Sequence, residues 1–173
     1  VGFVGYGRIA REVARYLGPI GCPTVAYDPF VRSAADATEL LPLEEVLRRS
    51  DFVSVHAAST PENRHLLNAE RFALMKPGAC LINVARGALV DERALLEALR
   101  AGSLAGAALD VFEVEPPTDR ELLAHPRVLA TPHLGASTHE GQARAGQQVV
   151  EETLRALAGK PLQGLVNPPG ATP

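Results

Sequence analysis

The chain has 173 residues, of which 46% are hydrophobic and 21% are charged. This length and balance are typical of one globular domain, and they exclude a disordered tail or a collagen-like rod. The net charge of −3 argues against a nucleic-acid partner. No apolar run reaches the roughly 18 residues that a membrane span needs.

Short apolar runs alternate with segments of helical periodicity along the chain. The apolar runs predict strands at 1–4, 24–28, 52–56, 80–84, 105–110 and 127–131. They are continuous rather than alternating in polarity, which is typical of parallel strands covered on both faces. The first run begins at Val1, so the chain starts inside a strand, and we expect it to be a piece of a longer protein.

The segments between the strands predict helices at 8–17, 43–50, 69–75, 92–101 and 138–158. Asn68 and Asp91 are the expected N-caps of the third and fourth helices. Ser137 and Glu140 have the spacing of a capping box at the start of the last helix.

The alternation of strands and helices predicts an α/β fold with a doubly wound parallel sheet. We expect one domain over 1–173, with 159–173 as a C-terminal tail. No secretory or transit pattern occurs in the sequence, so a cytoplasmic protein is expected. The cysteines Cys22 and Cys80 have no CxxC spacing, which argues against a disulfide scaffold or a cysteine-based metal site.

The first predicted strand runs directly into a glycine-rich loop, Gly5 to Ala10, with the pattern G-x-G-x-x-A that is typical of dinucleotide binding. In this pattern Gly5 permits a tight turn, and Gly7 lets the backbone approach a pyrophosphate. Ala10 allows close packing of the following helix on the sheet. The N-terminus of that helix offers free N–H groups to the phosphates, and Arg8 could add positive charge there.

Asp28 ends the second predicted strand about 20 residues after the glycine loop, where dinucleotide-binding proteins hold the ribose of NAD. Its carboxylate would accept hydrogen bonds from the 2′-hydroxyl and repel the 2′-phosphate of NADP. Arg32 could accept a 2′-phosphate, but a solvated side chain in a polar loop is the better interpretation. The prediction is therefore NAD as the cofactor.

Polar side chains follow three later strands, at the edge of a parallel sheet where ligands bind. Arg86 follows the strand at 80–84, Glu115 follows the strand at 105–110, and His133 follows the strand at 127–131. An arginine can hold a carboxylate with two hydrogen bonds, a histidine can exchange the proton of an alcohol, and a glutamate can orient that histidine. Together they suit hydride transfer at a carbonyl acid.

These motifs resemble the D-isomer-specific 2-hydroxyacid dehydrogenases. GYGRIA, INVARGALVDERALLEAL, ALDVFEVEPP and TPHLGAST all match the patterns of that family, and the resemblance covers essentially the whole chain. It implies a Rossmann-type NAD-binding domain without the substrate domain of the family. It also implies a substrate that is a small 2-hydroxy or 2-keto acid, and a homodimer or homotetramer formed through this domain.

The resemblance carries residue roles to this sequence. His133 would be the acid–base, Glu115 its partner, and Arg86 the residue that binds the substrate carboxylate and carbonyl. Asp110 would face the nicotinamide carboxamide. The residues implied on the cofactor are Gly5, Gly7, Arg8, Ile9, Asp28, Ala57, Val84, Ala85, Arg86, Asp110, His133, Leu134, Gly135 and Ala136.

The segment after the strand at 52–56 departs from the family pattern H-x-P-x-T-x-x-T. Ala58 stands at the position of the usual proline, and Asn63 at that of the second threonine. The family pattern therefore does not define the shape of the loop near the nicotinamide ribose. His56 is interpreted as a structural residue at the strand end. His65, His125 and His139 lack metal-ligand spacing and are interpreted as surface or capping residues.

Three functions remain open. AYDP, LPLEE, HLGAST and the closing segment 164–167 favour the branch of the family that oxidises 3-phospho-D-glycerate in serine biosynthesis. Reduction of glyoxylate, hydroxypyruvate or another 2-keto acid is the alternative, because the Arg–Glu–His set is shared. An NAD-sensing corepressor is a third hypothesis, disfavoured because the segment 134–137 lacks an aromatic residue after the histidine.

Overall fold

The structure is a computed structural model that describes residues 1–165. It contains seven strands, β1 (Gly2–Val4), β2 (Val25–Tyr27), β3 (Glu39–Leu40), β4 (Phe52–Val55), β5 (Ala79–Asn83), β6 (Leu104–Leu109) and β7 (Val128–Ala130). The helices are α1 (Arg8–Leu17), α2 (Leu43–Arg49), α3 (Ala69–Phe72), α4 (Glu92–Arg100), α5 (Arg120–Ala124) and α6 (His139–Leu157). Residues 166–173 of the predicted tail lie outside the described residues.

The seven strands form one parallel sheet in the order β3-β2-β1-β4-β5-β6-β7. β1 lies between β2 and β4, and Gly2 is in register with Val25 on one side and Val53 on the other. The strand order therefore reverses at β1, which makes the crevice at its carboxyl end the expected ligand site of an open α/β sheet. The doubly wound parallel fold predicted from the sequence is confirmed.

Side chains of β1 alternate between two hydrophobic clusters, because successive residues of a strand point to opposite faces. Phe3 packs with Tyr6, Ala10 and Ala14 beneath α1. Val4 belongs to the larger cluster on the other face, which also includes residues of α2 to α5. The small side chains of α1 allow the helix to lie close to the sheet, and Ala10 is fully buried as predicted.

The chain divides into two compact units, Val1–Pro132 and His133–Pro173. The first unit contains the sheet and α1 to α5. The described part of the second unit consists mainly of α6, which has no buried residue. Among residues 1–165, no helix has the length and apolarity required to cross a membrane.

Three local features differ from the sequence-based expectation. β3 and α5 were not predicted, because two and five residues are too few to establish a period. The N-cap of α6 is Thr138, which accepts a hydrogen bond from the Gly141 N–H, so the capping box of Ser137 and Glu140 was wrong by one residue. Asn68 and Asp91 cap α3 and α4 as predicted.

Candidate functional site

The glycine loop after β1 is fixed to both neighbouring strands. Gly5 has φ +91°, a conformation that L side chains rarely adopt, and its N–H donates to the Tyr27 carbonyl at 2.8 Å. A Cβ added at Gly5 would lie 2.5 Å from the Ala57 nitrogen. Gly5 therefore allows β1 and the end of β4 to approach each other, as the tight turn of the sequence pattern requires.

The amino end of α1 has no side-chain cap, in contrast to the starts of α3 to α6. Gly7 is its N-cap and supplies no side-chain hydrogen bond, whereas side chains of Asn68, Asp91, Asp119 and Thr138 cap α3 to α6. A Cβ added at Gly7 would meet no atom within 4 Å. The first-turn N–H groups and the space beside Gly7 thus suit a phosphate-bearing ligand.

Two exposed side chains border this open helix end. Arg8 is exposed in the first turn of α1, and Ile9 is 68% exposed although it is apolar. A cation beside the helix N-terminus adds to the attraction for a polyanion. An exposed isoleucine at the mouth of a crevice offers apolar surface to a planar or ribosyl group.

Asp28 lies directly after β2, and its carboxylate contacts the glycine loop. Its Oδ2 accepts a hydrogen bond of 2.8 Å from the Tyr6 N–H, and its Oδ1 accepts from the N–H groups of Phe30 and Val31 at 2.8 and 3.2 Å. These bonds hold the carboxylate beside the loop. Arg32 is exposed, as the interpretation of a solvated side chain expects.

Tyr6 lies in the glycine loop, and its buried side chain holds the loop in place. Its ring is fully buried, and its hydroxyl lies 2.6 Å from Asp36 Oδ2 and 2.7 Å from Thr38 Oγ1. Burial, together with the hydrogen bond to the Asp36 carboxylate, raises the pKa of Tyr6 to about 12. The hydroxyl therefore stays protonated and donates to Asp36.

The loop after β5 carries Arg86 and is held by the buried side chain of Asn83. The Asn83 Oδ1 accepts from the Ala85 N–H at 3.1 Å, and its Nδ2 donates to the Arg86 carbonyl at 3.0 Å. The Arg86 side chain is exposed, with Nη1 donating to the Ala85 carbonyl at 2.6 Å. Val84, 44% exposed, presents apolar surface at the same strand end.

Gly87 brings the Arg86 loop against the loop that follows β6. A Cβ at Gly87 would lie 1.9 Å from the Phe112 carbonyl carbon and 2.3 Å from the Glu113 nitrogen, so only glycine fits. In the adjoining loop, the exposed Glu115 accepts a hydrogen bond from the Phe112 N–H at 3.1 Å. The structure thus places Arg86 and Glu115 on loops that touch.

Hydrogen bonds of Glu113 also hold the loop that carries Glu115. The Glu113 Oε2 accepts from His65 Nε2 at 2.8 Å and from Arg64 Nη2 at 2.7 Å. The Glu113 N–H also donates to Glu92 at 2.6 Å. Burial opposes the charge of Glu113, but the hydrogen bonds from His65 and the Glu92 backbone outweigh it and lower the pKa of that carboxyl.

His65 therefore differs from its sequence-based interpretation as a surface or capping residue. It is half-buried, has φ +52°, and pairs with Glu113. His125 is the C-cap of α5, and His139 is exposed, as expected of capping and surface residues. The His56 ring packs against Phe3 in a tilted arrangement and contacts the Ser54 hydroxyl at 2.9 Å, which fits a structural role.

Burial lowers the pKa of His56, because a charged imidazole is poorly solvated beneath the sheet edge. A neutral ring is suited to packing against Phe3. His56 thus lacks the exposure that an acid–base exchanging protons with a substrate needs.

The segment after β7 begins with Thr131, whose hydroxyl donates to Asp110 Oδ1 at 2.5 Å. Asp110 itself follows β6 and is only 8% exposed. His133 is exposed, opens the second compact unit, and has φ +56°. A left-handed conformation at a residue other than glycine is uncommon and is often found at functional positions. Leu134, Gly135 and Ala136 are exposed after it.

Sequence reasoning missed the side chains that hold the others in place. Asn83 and Thr131 were noticed only as members of motifs, and His65 was assigned to the surface. Burial of a polar residue next to a strand end would indicate such a role, since a buried polar residue needs hydrogen-bond partners. Burial cannot be known before the loops are packed together.

Comparison with known proteins shows which family this chain resembles. The family model for the NAD-binding domain of D-isomer-specific 2-hydroxyacid dehydrogenases matches residues 1–135. In an alignment of 175 positions, the chain is 47% identical to D-3-phosphoglycerate dehydrogenase of Bacillus subtilis. The alignment covers 99% of this chain and 33% of that protein. The chain therefore spans about a third of the length of the curated relatives it matches.

Two solved structures show the same arrangement of strands and helices. A glyoxylate reductase from Paecilomyes thermophila superposes with a TM-score of 0.87 at 35% identity, covering 93% of this chain and 50% of the other. A D-lactate dehydrogenase with NAD+ from Lactobacillus jensenii gives a TM-score of 0.90 at 28% identity, covering 96% of this chain and 55% of the other.

Proposed function

Because the chain belongs to the family of D-isomer-specific 2-hydroxyacid dehydrogenases as an NAD-binding domain, we propose that it serves an enzyme that oxidises 3-phospho-D-glycerate at C2. The product is 3-phosphohydroxypyruvate, and the reaction opens serine biosynthesis. The observation that carries the proposal is the contact of the Arg86 loop with the Glu115 loop through Gly87, at the carboxyl ends of β5 and β6. It brings the loop that carries Arg86 against the loop that carries Glu115, at the edge of the sheet where open α/β folds bind ligands.

The residues at the crevice fit NAD. The uncapped start of α1 and the open space at Gly7 receive the pyrophosphate, and Arg8 adds positive charge. Asp28 accepts from the adenosine ribose hydroxyls and repels a 2′-phosphate. Ile9 supplies apolar surface for the cofactor. The other residues assigned to the cofactor are Ala57, Val84, Ala85, Arg86, Asp110 and the segment His133 to Ala136.

In the proposed reaction, each polar side chain has one task. Arg86 binds the substrate carboxylate and carbonyl oxygen, because its planar guanidinium donates two parallel hydrogen bonds. His133 accepts the proton of the C2 hydroxyl during oxidation and returns it during reduction. The family resemblance assigns Glu115 as the partner of His133. NAD supplies the hydride acceptor when it is bound.

The phosphorylated substrate is favoured over glyoxylate or hydroxypyruvate by the higher identity to the phosphoglycerate enzyme, 47% against 35% for the glyoxylate reductase. Reduction of glyoxylate or hydroxypyruvate is the alternative, because both enzyme types can use the same Arg–Glu–His chemistry. A substrate panel on the enzyme with its substrate domain decides between them. Preference for the phosphorylated acid supports the proposal, and preference for glyoxylate or hydroxypyruvate overturns it.

We also propose that the protein is cytoplasmic and self-associates through this domain. Self-association is supported by the apolar side chains that α6 exposes. Each of the following is more than half accessible: Val149, Val150, Leu154 and Leu157. Light scattering of the chain across a concentration series should show a dimer or tetramer. A monomer at the highest concentration contradicts self-association of this domain.

Replacing Asp28 by Ala should weaken NAD binding by about tenfold or more, because a hydrogen bond to a charged group contributes about 1.5–3 kcal/mol. NADP binding should not weaken, since the repulsion of its 2′-phosphate is removed. Calorimetric titration of both dinucleotides into the chain measures the change.

Asp51→Ala is the matched control for the Asp28 variant. Asp51 is an exposed aspartate next to the amino end of β4, at the opposite edge of the sheet, and its carboxylate pairs with Lys76 at the surface. Its removal should leave both affinities unchanged. Equal NAD binding by the wild type and Asp28→Ala would show that Asp28 does not hold the ribose.

A further inference from the structure

Hydrogen bonds tie together the ends of three adjacent strands. The Asp110 N–H, just after β6, donates to the Asn83 carbonyl at the end of β5 at 3.0 Å. The Thr131 N–H, just after β7, donates to the Leu109 carbonyl at 2.9 Å. These main-chain bonds extend the parallel ladder by one residue, so the backbones of Asp110 and Thr131 are held in a fixed relation.

The side chains of Thr131 and Asp110 also form a hydrogen bond. The Thr131 hydroxyl donates to Asp110 Oδ1 at 2.5 Å, which is the short distance typical of a hydroxyl bound to an ionised carboxylate. Threonine is branched at Cβ and has restricted χ1 freedom. The direction of the hydroxyl is therefore limited by the strand end, and its bond restricts how the Asp110 carboxylate can turn.

Asp110 is 8% exposed, so its carboxylate can turn little without losing hydrogen bonds. A carboxylate has about four acceptor positions on its two oxygens. The Thr131 hydroxyl occupies one position on Oδ1 and thereby helps to set where the other positions point. An amide N–H₂ group that reaches this strand end meets an acceptor of defined direction.

We propose that Thr131 is a positioning residue for the cofactor: its hydroxyl orients the Asp110 carboxylate toward the carboxamide of the nicotinamide ring. This inference rests on the proposed function, which assigns Asp110 to that carboxamide. The carboxamide N–H₂ donates and the carboxylate accepts, and such a bond weakens steeply when the donor angle departs from linear. Thr131 touches Asp110, and through it acts on the nicotinamide end of the dinucleotide only.

The test compares NAD with ADP-ribose, which keeps the adenosine, the pyrophosphate and the second ribose but lacks nicotinamide. Both are titrated by calorimetry into the complete chain, as wild type, Thr131→Val and Thr131→Ser. Thr131→Val keeps the shape and removes the hydroxyl, and Thr131→Ser retains the hydroxyl. Thr131→Val should weaken NAD about five- to tenfold and change ADP-ribose less than about twofold, whereas Thr131→Ser should restore most of the NAD affinity.

A double-mutant cycle separates positioning from general support of the fold. Asp110→Ala alone should weaken NAD, and adding Thr131→Val to it should cause no further loss, because the Thr131 hydroxyl has already lost its acceptor. Independent additive losses would overturn the inference.

The remaining outcomes are also decisive. Equal loss of NAD and ADP-ribose in Thr131→Val, unchanged NAD binding in that variant, or equal affinity of the wild type for both ligands would each overturn the positioning role. A wild-type chain that binds neither NAD nor ADP-ribose would instead contradict the cofactor assignment itself. The failure of the inference and the failure of the proposed function are thus distinguished.

Discussion

Replacing Gly5 by Ala should reduce the free energy of unfolding by about 3 kcal/mol or more. At φ +91° an L residue is strained, and the new Cβ would lie 2.5 Å from the Ala57 nitrogen and 2.7 Å from the Ala57 Cα. The loop cannot move aside easily, because the His56 N–H donates to the Val4 carbonyl at 2.7 Å directly beside it. Unfolding in urea, followed by circular dichroism, measures the loss.

Gly7→Ala is the matched control, because it places the same methyl group two residues further along the loop. There the backbone has φ −80° and ψ −165°, which any residue adopts, and the Cβ meets no atom within 4 Å. Stability should fall by no more than about 1 kcal/mol, while NAD affinity should fall about tenfold or more because the methyl occupies space for the pyrophosphate. A Gly5→Ala chain as stable as the wild type, or a Gly7→Ala chain that binds NAD normally, would contradict this division of roles.

Replacing His133 by Ala should lower kcat by about 10²- to 10⁴-fold in the enzyme that includes the substrate domain, since general acid–base catalysis contributes that much. Steady-state kinetics of alcohol oxidation measure the loss.

His139→Ala is the control for the histidine variant. His139 is exposed at the start of α6 and has no assigned role in binding or chemistry. Its turnover should match that of the wild type. Near-normal turnover by His133→Ala would remove the acid–base role and leave His133 as a cofactor contact alone.

Much of the fold could be predicted because each large element has a strong local signal. The continuous apolar runs marked β1, β2 and β4 to β7, and the glycine after α4 marked the end of that helix. The two-residue β3 owes its existence to pairing with β2, and α5 to the Asp119 cap and the burial of Leu122. Such elements are stabilised by tertiary contacts that no local pattern contains.

In the candidate site too, some residues could be predicted from local sequence and others depend on contacts between distant segments. Gly5, Gly7 and Asp28 are recognisable because their spacing is a direct consequence of a strand, a turn and a helix. Thr131 and His65 act on residues that are distant in the chain, 21 and 48 positions away respectively. Their partners become known only when the loops after β6 and β7 are packed, so motif spacing alone could not assign them a role.

The central claim is that this chain binds NAD at the crevice where the strand order reverses. Calorimetric titration of the wild-type chain with NAD and with NADP tests it most directly. The account predicts one NAD bound per chain, with NADP weaker by about tenfold or more because of the Asp28 carboxylate. Absence of NAD binding, or NADP binding as tight as NAD binding, would contradict it.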